Sequence, residues 1–383
     1  MKKIFTFLKR PFVVFLLTAI IVFSSLEAMA FIKGDIDDDG IVNLNEAINA
    51  LQVVAGHTRS WRILDQIKER GLIKIGVLDW NLAGLFIDQD PLPPIGFEAD
   101  IARAIAVAIF PDVPVNDVDT KIQFIKTSSS SRFADLQEKK FDILIRVSSF
   151  TLIRDRNSDS GPNLQFCPAY FYGGQGLMAN AAWTLSNLNG KKIALVEDYE
   201  AQYNLEKFME QQGYSYTKVI YPSAASSEMF SDYEAGTIDA VSSDKFLLLN
   251  YKNEFTSPED HQIFDASLSK DMISPVVLYG DDQWTDIVSW VIYALIEAEE
   301  LGLDSTNIDA PPNLDNLAVE RFLGLEGTLG QELGLTNTWA KEIIKKVGNY
   351  GEIYERNIGS VNMHRGPNRL YKDGGVLYSP LMR

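Results

Sequence analysis

Two groups of residues in this chain have the types and spacing to grip charged chemistry. Ser149, Thr151 and Arg154 follow a mostly apolar run over 141–145, which reads as a buried strand. Strand ends are favoured ligand positions in α/β folds, and a guanidinium matches a carboxylate through parallel hydrogen bonds. The alternative for Ser149 and Thr151 is capping of local backbone, and for Arg154 a surface ion pair. Further on, Gly236, Thr237, Ile238, Asp239 and Ala240 read as a turn into a short strand that leads to Ser242, Ser243 and Asp244. An Asp just past a strand end can receive an ammonium. Arg154 and Asp244 facing one cavity would therefore hold the two ends of a zwitterion.

The second constellation is metal-like. Residues 35–46 place Asp35, Asp37 and Asp39 at positions 1, 3 and 5 of a 12-residue calcium loop, with Gly40 at 6. The carbonyl of Ile41 falls at position 7, Asn43 at 9 and Glu46 at 12, the full EF-hand pattern. The glycine permits the sharp turn, and alternate oxygens converge on a hard cation. A helix pattern follows through Ala47, Ile48, Leu51, Val54 and Ala55 to Gly56. Structural calcium is expected here; an acidic linker without metal is the alternative.

The elements that position these residues follow from apolar periodicity. Residues 72–77 form a β-run and the first strand. The stretch 78–95 contains Pro91, Pro93 and Pro94, and is expected to lack regular structure. A helix opens at Gly96 and Phe97 and runs to Phe110. Strands near 122–125 and 143, with a helix over 132–139 between them, imply an α/β lobe with a largely parallel sheet. A second lobe is expected from strands at 191–196, 218–220 and 238–241 with a helix over 200–211. The chain crosses near 172–176 and returns near 274–278, and the remainder is mainly helical.

With 383 residues, the chain suits two or three domains. It carries 35 basic and 52 acidic residues, a net charge of −17. That argues against nucleic acid as a partner. Lys2, Lys3, Lys9 and Arg10 precede an apolar run over 12–23, and Ala28, Met29 and Ala30 follow. This is the pattern of a cleaved secretory signal over residues 1–30, so the mature chain is expected to be exported. Cys167 is the only cysteine, so no internal disulfide forms, and its neighbours Phe166 and Pro168 suggest a small buried hydrophobe. His57, His261 and His364 stand in separate contexts, with no partner motif for acid–base or metal catalysis. The chain is not expected to be an enzyme.

Residues 60–383 resemble the periplasmic amino-acid-binding proteins of ABC importers (solute-binding family 3), and most of all their general L-amino-acid branch. The resemblance rests on Ser149-x-Thr151-x-x-Arg154, on Gly96-Phe97-Glu98-Ala99-Asp100 and on Gly236-x-x-Asp239-Ala240-x-x-x-Asp244. The branch is marked by residues 280–284 (Gly-Asp-Asp-Gln-Trp), 349–352 (Asn-Tyr-Gly-Glu) and Gly374-Gly375-x-x-Tyr378. The resemblance implies a two-lobed, hinge-closing periplasmic binding fold of type II, preceded by the short EF-hand-like segment. The implied domains are 1–30 for the signal, 31–58 for the calcium loop and helix, 59–175 for lobe I, 176–273 for lobe II, and 274–383 returning to lobe I.

The same resemblance implies that Arg154, with Ser149 and Thr151, binds the carboxylate of an L-amino acid, and that Asp244 binds its ammonium. Asp239 would support the strand. Trp80 would pack on the ligand side chain, with Phe86 and Asp79 nearby; Tyr172 and Gln175 would serve the hinge or core. A monomer in the periplasm, delivering its ligand to an inner-membrane ABC permease, is implied. The alternatives are an amino-acid-sensing receptor for a membrane partner, and an enzyme of the cyclohexadienyl-dehydratase type on the same fold. Many relatives carry a disulfide that this chain cannot form. After residues 193–196, relatives usually present a Gly-Thr-rich turn; here Glu197, Asp198, Tyr199 and Glu200 stand instead. Either these acids shift preference toward a basic or larger amino acid, or they cap the helix. Residues 35–46 also resemble one repeat of a dockerin. Dockerins usually pair two repeats, so a cohesin partner is not expected.

Overall fold

A computed structural model describes residues 62–156, 164–222, 226–361 and 363–383, together with Ala47 and Leu51. The expected signal segment and calcium ligands lie outside the described residues. The chain divides into two units, Met1–Gln66 and Ile67–Arg383; in the first, Ala47 and Leu51 are helical and exposed.

The second unit holds two five-stranded sheets. The first has the order β4-β1-β5-β14-β6. Its strands are β1 (Ile73–Leu78), β4 (Ile122–Thr127), β5 (Ile143–Leu144), β6 (Leu164–Phe166) and β14 (Val276–Leu278). β1 pairs in parallel with both β4 and β5, so the C-terminal ends of all three share one edge. β1 is buried almost throughout, as expected of a strand covered on both faces. One cover is Phe141, whose ring leaves no room for a side chain at Gly76: an added Cβ would sit 2.5 Å from it.

The second sheet has the order β10-β9-β11-β8-β12. Its strands are β8 (Gln175–Asn180), β9 (Lys191–Val196), β10 (Tyr216–Tyr221), β11 (Ala240–Asp244) and β12 (His261–Ile263). β9 runs parallel to β10 and β11, whereas β8 is antiparallel to β11 and β12. The sequence predicts a strand at 238–241, but β11 starts later and runs on through Ser242 and Ser243. Asp239 instead ties the turn to β9, accepting the Lys192 amide at 2.8 Å. The hydroxyl of Ser242 can be buried because it donates to the Gly176 carbonyl at 3.0 Å.

The sheets are joined by two crossings. β7 (Phe171–Gly173) and β13 (Asp271–Ile273) pair antiparallel, with Asp271 opposite Gly173 and Ile273 opposite Phe171. Gly174 follows with φ of +140°, and an added Cβ would lie 2.4 Å from the Ser269 carbonyl oxygen. Only glycine fits there. This ribbon is the hinge of a two-lobed binding-protein fold.

The stretch 78–95 is not wholly irregular. β2 (Ile87–Gln89) and β3 (Leu92–Ile95) form a separate hairpin despite Pro93 and Pro94 in β3. A two-stranded ribbon has open edges, so a proline costs it no required hydrogen bond. Helix α1 (Phe97–Ile109) then packs into the first lobe, buried along nearly its whole length. The C-terminal helices close over it: Asp100 accepts from Arg356 Nε at 2.8 Å and from Asn357 Nδ2 at 2.7 Å. The Phe97 ring meets that of Tyr350 edge-on at 5.4 Å, and the Tyr350 hydroxyl donates to the Tyr170 carbonyl at 2.9 Å. Cys167 is buried, which pushes its thiol up to about 12. The thiol is therefore inert at neutral pH.

Candidate functional site

The loop after β5 is stitched to the returning hinge strand. Ser149 bridges to Ile273, the Phe150 amide donates to the Met272 carbonyl at 2.7 Å, and Ser274 donates to Ser148 at 3.2 Å. The Phe150 ring stacks on Phe166 at 4.9 Å, which anchors the loop. Thr151 then caps the short helix Leu152–Asp155, its hydroxyl accepting from the Arg154 amide at 3.3 Å. Arg154 is half-buried, and its Nη1 donates to the Ser149 carbonyl at 2.9 Å. Thr151 thus has the local capping role that the sequence leaves open, and Ser149 contributes its main chain to hold the guanidinium.

Two further guanidiniums, which no short sequence motif marks, stand within electrostatic reach of the loop. Arg146 follows β5 and is buried; its Nη2 meets Asp79 at 3.2 Å and the Ser129 hydroxyl at 3.0 Å. Arg132 opens the helix α2 (Arg132–Gln137) and donates to the Ser129 carbonyl. Its guanidinium lies 4.4 Å from the centre of the Phe133 ring. Burial pulls Arg132 down to about 10, and the charges of Arg154 and Arg146 act in the same direction. Behind this edge, Glu98 is fully enclosed. Its Oε1 accepts the Val147 amide at 2.7 Å and the Tyr170 hydroxyl. Burial pushes the carboxyl up to about 7, against the opposing effect of those donors and of Arg146.

The other side of the site is acidic. Asp244 ends β11 and caps the helix Lys245–Glu254, accepting the Phe246 amide at 2.8 Å. Burial raises its carboxyl to about 6; the Phe246 amide lowers it, and Asp271 raises it. Asp271 lies on the hinge strand. Burial raises its carboxyl too, Arg154 lowers it, and Glu200 raises it. Asp271 is therefore within electrostatic reach of both Arg154 and Asp244, the two residues that the sequence assigns to a zwitterion. No feature of local sequence could have revealed Asp271, because its position depends on the pairing of two distant crossings.

The turn at 197–200 has a definite local role. Asp198 caps the helix α3 (Tyr199–Gln212), its Oδ1 accepting the Ala201 amide at 2.7 Å. Glu197 and Glu200 are exposed. Trp80 follows β1 on the edge that carries Asp79, and is 44% exposed. Phe86, by contrast, is a core residue rather than a ligand wall: it is 1% exposed, with its ring 6.4 Å from Phe124. Tyr172 lies in the hinge, its amide held by Asn368 at 2.7 Å. Gln175 is buried, donating to Ser242 and to the Ala201 carbonyl, each at 2.9 Å. Among the described residues, no group of three or more His, Cys, Asp or Glu could hold a metal, and no helix is long and apolar enough to cross a membrane.

A two-lobed sheet pair on a double-stranded hinge, with opposed basic and acidic groups, defines a ligand-binding protein of the periplasmic type. Over 349 residues the chain is 34% identical to the general L-amino acid-binding periplasmic protein AapJ of Rhizobium johnstonii, covering 89% of this chain and 98% of the relative. It is 31% identical to the glutamate/glutamine/aspartate/asparagine-binding protein BztA of Rhodobacter capsulatus, covering 87% and 97%. Among solved structures, an ABC transporter periplasmic binding protein from Brucella ovis with glutathione bound matches at 32% identity. Its TM-score is 0.68, with 84% of this chain and 99% of that one covered. No protein-family model matches the chain. The chain belongs to the family of periplasmic amino-acid-binding proteins of ABC transporters. These relatives are named as binding proteins, not enzymes.

Proposed function

We propose that this protein captures a free L-amino acid between its lobes and presents it to the membrane permease of an ABC importer. The observation that carries the reading is the link from Arg154 through Asp271 to Asp244. The charge of Arg154, from one lobe, lowers the Asp271 carboxyl on the hinge strand, and that of Asp271 raises Asp244 in the other. An α-carboxylate would take the Arg154 guanidinium, with Ser149 and Thr151 at the same loop. An α-ammonium would take Asp244, and Trp80 would border the ligand side chain. Binding would then draw the lobes together about β7 and β13.

Residues 1–30 would be removed on export. The loop at 35–46 would bind calcium weakly, at about 10⁻⁴–10⁻³ M as in other extracellular sites of this kind, through Asp35, Asp37, Asp39, Ile41, Asn43 and Glu46. Its role would be to order the segment before the lobes, with no cohesin partner. The mature protein would act as a monomer.

The test is a thermal-shift screen of refolded, ligand-free protein against the common L-amino acids. A ligand that binds only the folded state raises the midpoint with RT ln(1 + [L]/Kd). A shift with one or more amino acids is expected. No shift with any of them, at millimolar ligand, would overturn the reading.

A further inference from the structure

A buried guanidinium is costly unless it is paired, and this protein holds two at one place with a single carboxylate, Asp79, bonded to them among the described residues. Arg146 is 3% exposed and Arg132 is 9%. They reach the same residue from different elements: Arg132 donates to the carbonyl of Ser129, and Arg146 to its hydroxyl at 3.0 Å. The Nε atoms of both are buried and have no hydrogen-bond partner among the described residues. Arg146 has one ion pair, with the 40% exposed side chain of Asp79. The charges that act on Arg132 are those of Arg154 and Arg146, and both repel it. Glu98, behind the edge, gives its Oε1 to Val147 and Tyr170 and is only partly ionised at neutral pH.

We infer that Arg132 and Arg146 form a second anion subsite beside Arg154, and that the cleft is built for a dicarboxylic amino acid. The inference rests on the reading of Arg154 and Asp244 as the amino-acid clamp. It adds that the side-chain carboxylate of the ligand is received at the Ser129 edge.

Topology supports the placement. β4, β1 and β5 are parallel neighbours, so Ser129, Asp79 and Arg146 follow their C-terminal ends side by side. Among the described residues, Arg132 and Arg146 meet at that edge with one carboxylate, Asp79, bonded to Arg146. A side-chain carboxylate of the ligand would neutralise the other guanidinium. A neutral side chain would leave a buried charge unmatched, and a basic one would be repelled. In the acidic turn at 197–200, Asp198 is engaged as a helix cap, Glu197 and Glu200 are exposed, and the charge of Glu200 acts on Asp271 on the hinge strand, away from the Ser129 edge.

The experiment is titration calorimetry of ligand-free protein with glutamate and glutamine, aspartate and asparagine, and arginine. Each acid and its amide have nearly the same shape, so their affinity ratio reports the subsite. The acid is expected to bind at least about tenfold more tightly than its amide, a difference of about 1.4 kcal/mol. The ratio should fall toward one in Arg132→Gln. It should rise in Asp79→Asn, which removes the carboxylate that competes for Arg146. The ratio in the native protein needs no variant, so misfolding of Arg132→Gln would leave the test standing. Amides binding as tightly as acids, or arginine binding more tightly than glutamate, would overturn the subsite alone. An intact ratio in folded Arg132→Gln would overturn its assignment to that pair. No binding by any amino acid would overturn the reading of the clamp and the subsite together.

Discussion

The guanidinium of Arg154 reaches back 2.9 Å to the carbonyl oxygen of Ser149, across the turn that Thr151 caps. Nη1 is thereby fixed, and the direction of the planar group is set before any ligand arrives. Arg154→Ala removes a preorganised, charge-assisted donor. Truncating one partner of a buried charged pair costs about 2–5 kcal/mol, so amino-acid affinity should fall about 30-fold or more. Calorimetry on the folded variant checks this. A change of less than about threefold would place the carboxylate elsewhere.

Two carboxyls should give the ligand-free protein an unusual pH profile. Asp244 is raised to about 6 from 3.8, and Glu98 to about 7 from 4.5, in both cases chiefly by burial. Between the unfolded and folded values, the folded state holds more protons than the unfolded one. Stability from these groups is therefore greatest at the acid end of the window and falls as pH rises toward neutrality. The melting midpoint contributed by them should decline from pH 5 to pH 7.5. The double variant Asp244→Asn with Glu98→Gln should flatten that slope; the same slope in the variant would refute the assignment. Ligand affinity runs the other way. An ammonium needs the ionised form of Asp244, so affinity should weaken as pH drops below about 6.

Gly174 tests the hinge. Its φ of +140° and the Ser269 carbonyl 2.4 Å from an added Cβ exclude a side chain without movement of the strap. Gly174→Ala should destabilise by about 1–3 kcal/mol, within the range for strained backbone, read as a lower melting midpoint. An unchanged midpoint would mean that the crossing adjusts freely.

The calcium loop can be separated from the lobes by one substitution. Asp35→Ala should weaken terbium luminescence and calcium binding while amino-acid affinity stays within about twofold. Equal calcium affinity in both proteins would mean that residues 35–46 are an acidic linker.

The loop that carries Arg154 and the end of β11 at Asp244 are legible in the sequence, because apolar runs mark the strands that precede them. Arg132 and Arg146 are not, because an Arg opening a helix or trailing a strand normally reads as a solvated charge. Only the parallel pairing of β4, β1 and β5 brings them to one residue. Asp271 is hidden for a related reason: it joins the site through the ribbon formed with β7. The hairpin β2–β3 was obscured by Pro93 and Pro94, whose cost depends on whether an edge is paired. The resemblance puts Phe86 near the ligand, but the fold turns it inward against Phe124.

The clasp between Asp100 and Arg356 joins residues 256 apart in the chain. The second sheet, by contrast, draws all of its strands from Gln175 to Ile263. A chain that emerges N-terminus first can therefore complete its inner lobe while the outer one still lacks its helical cover. The part of α1 that the C-terminal helices cover stays bare until the last quarter of the polypeptide arrives. During that interval the unfinished lobe exposes the surface that aggregation and chaperones recognise. Damage near the C-terminus should consequently be felt as failed assembly of the first lobe, far from the altered residue.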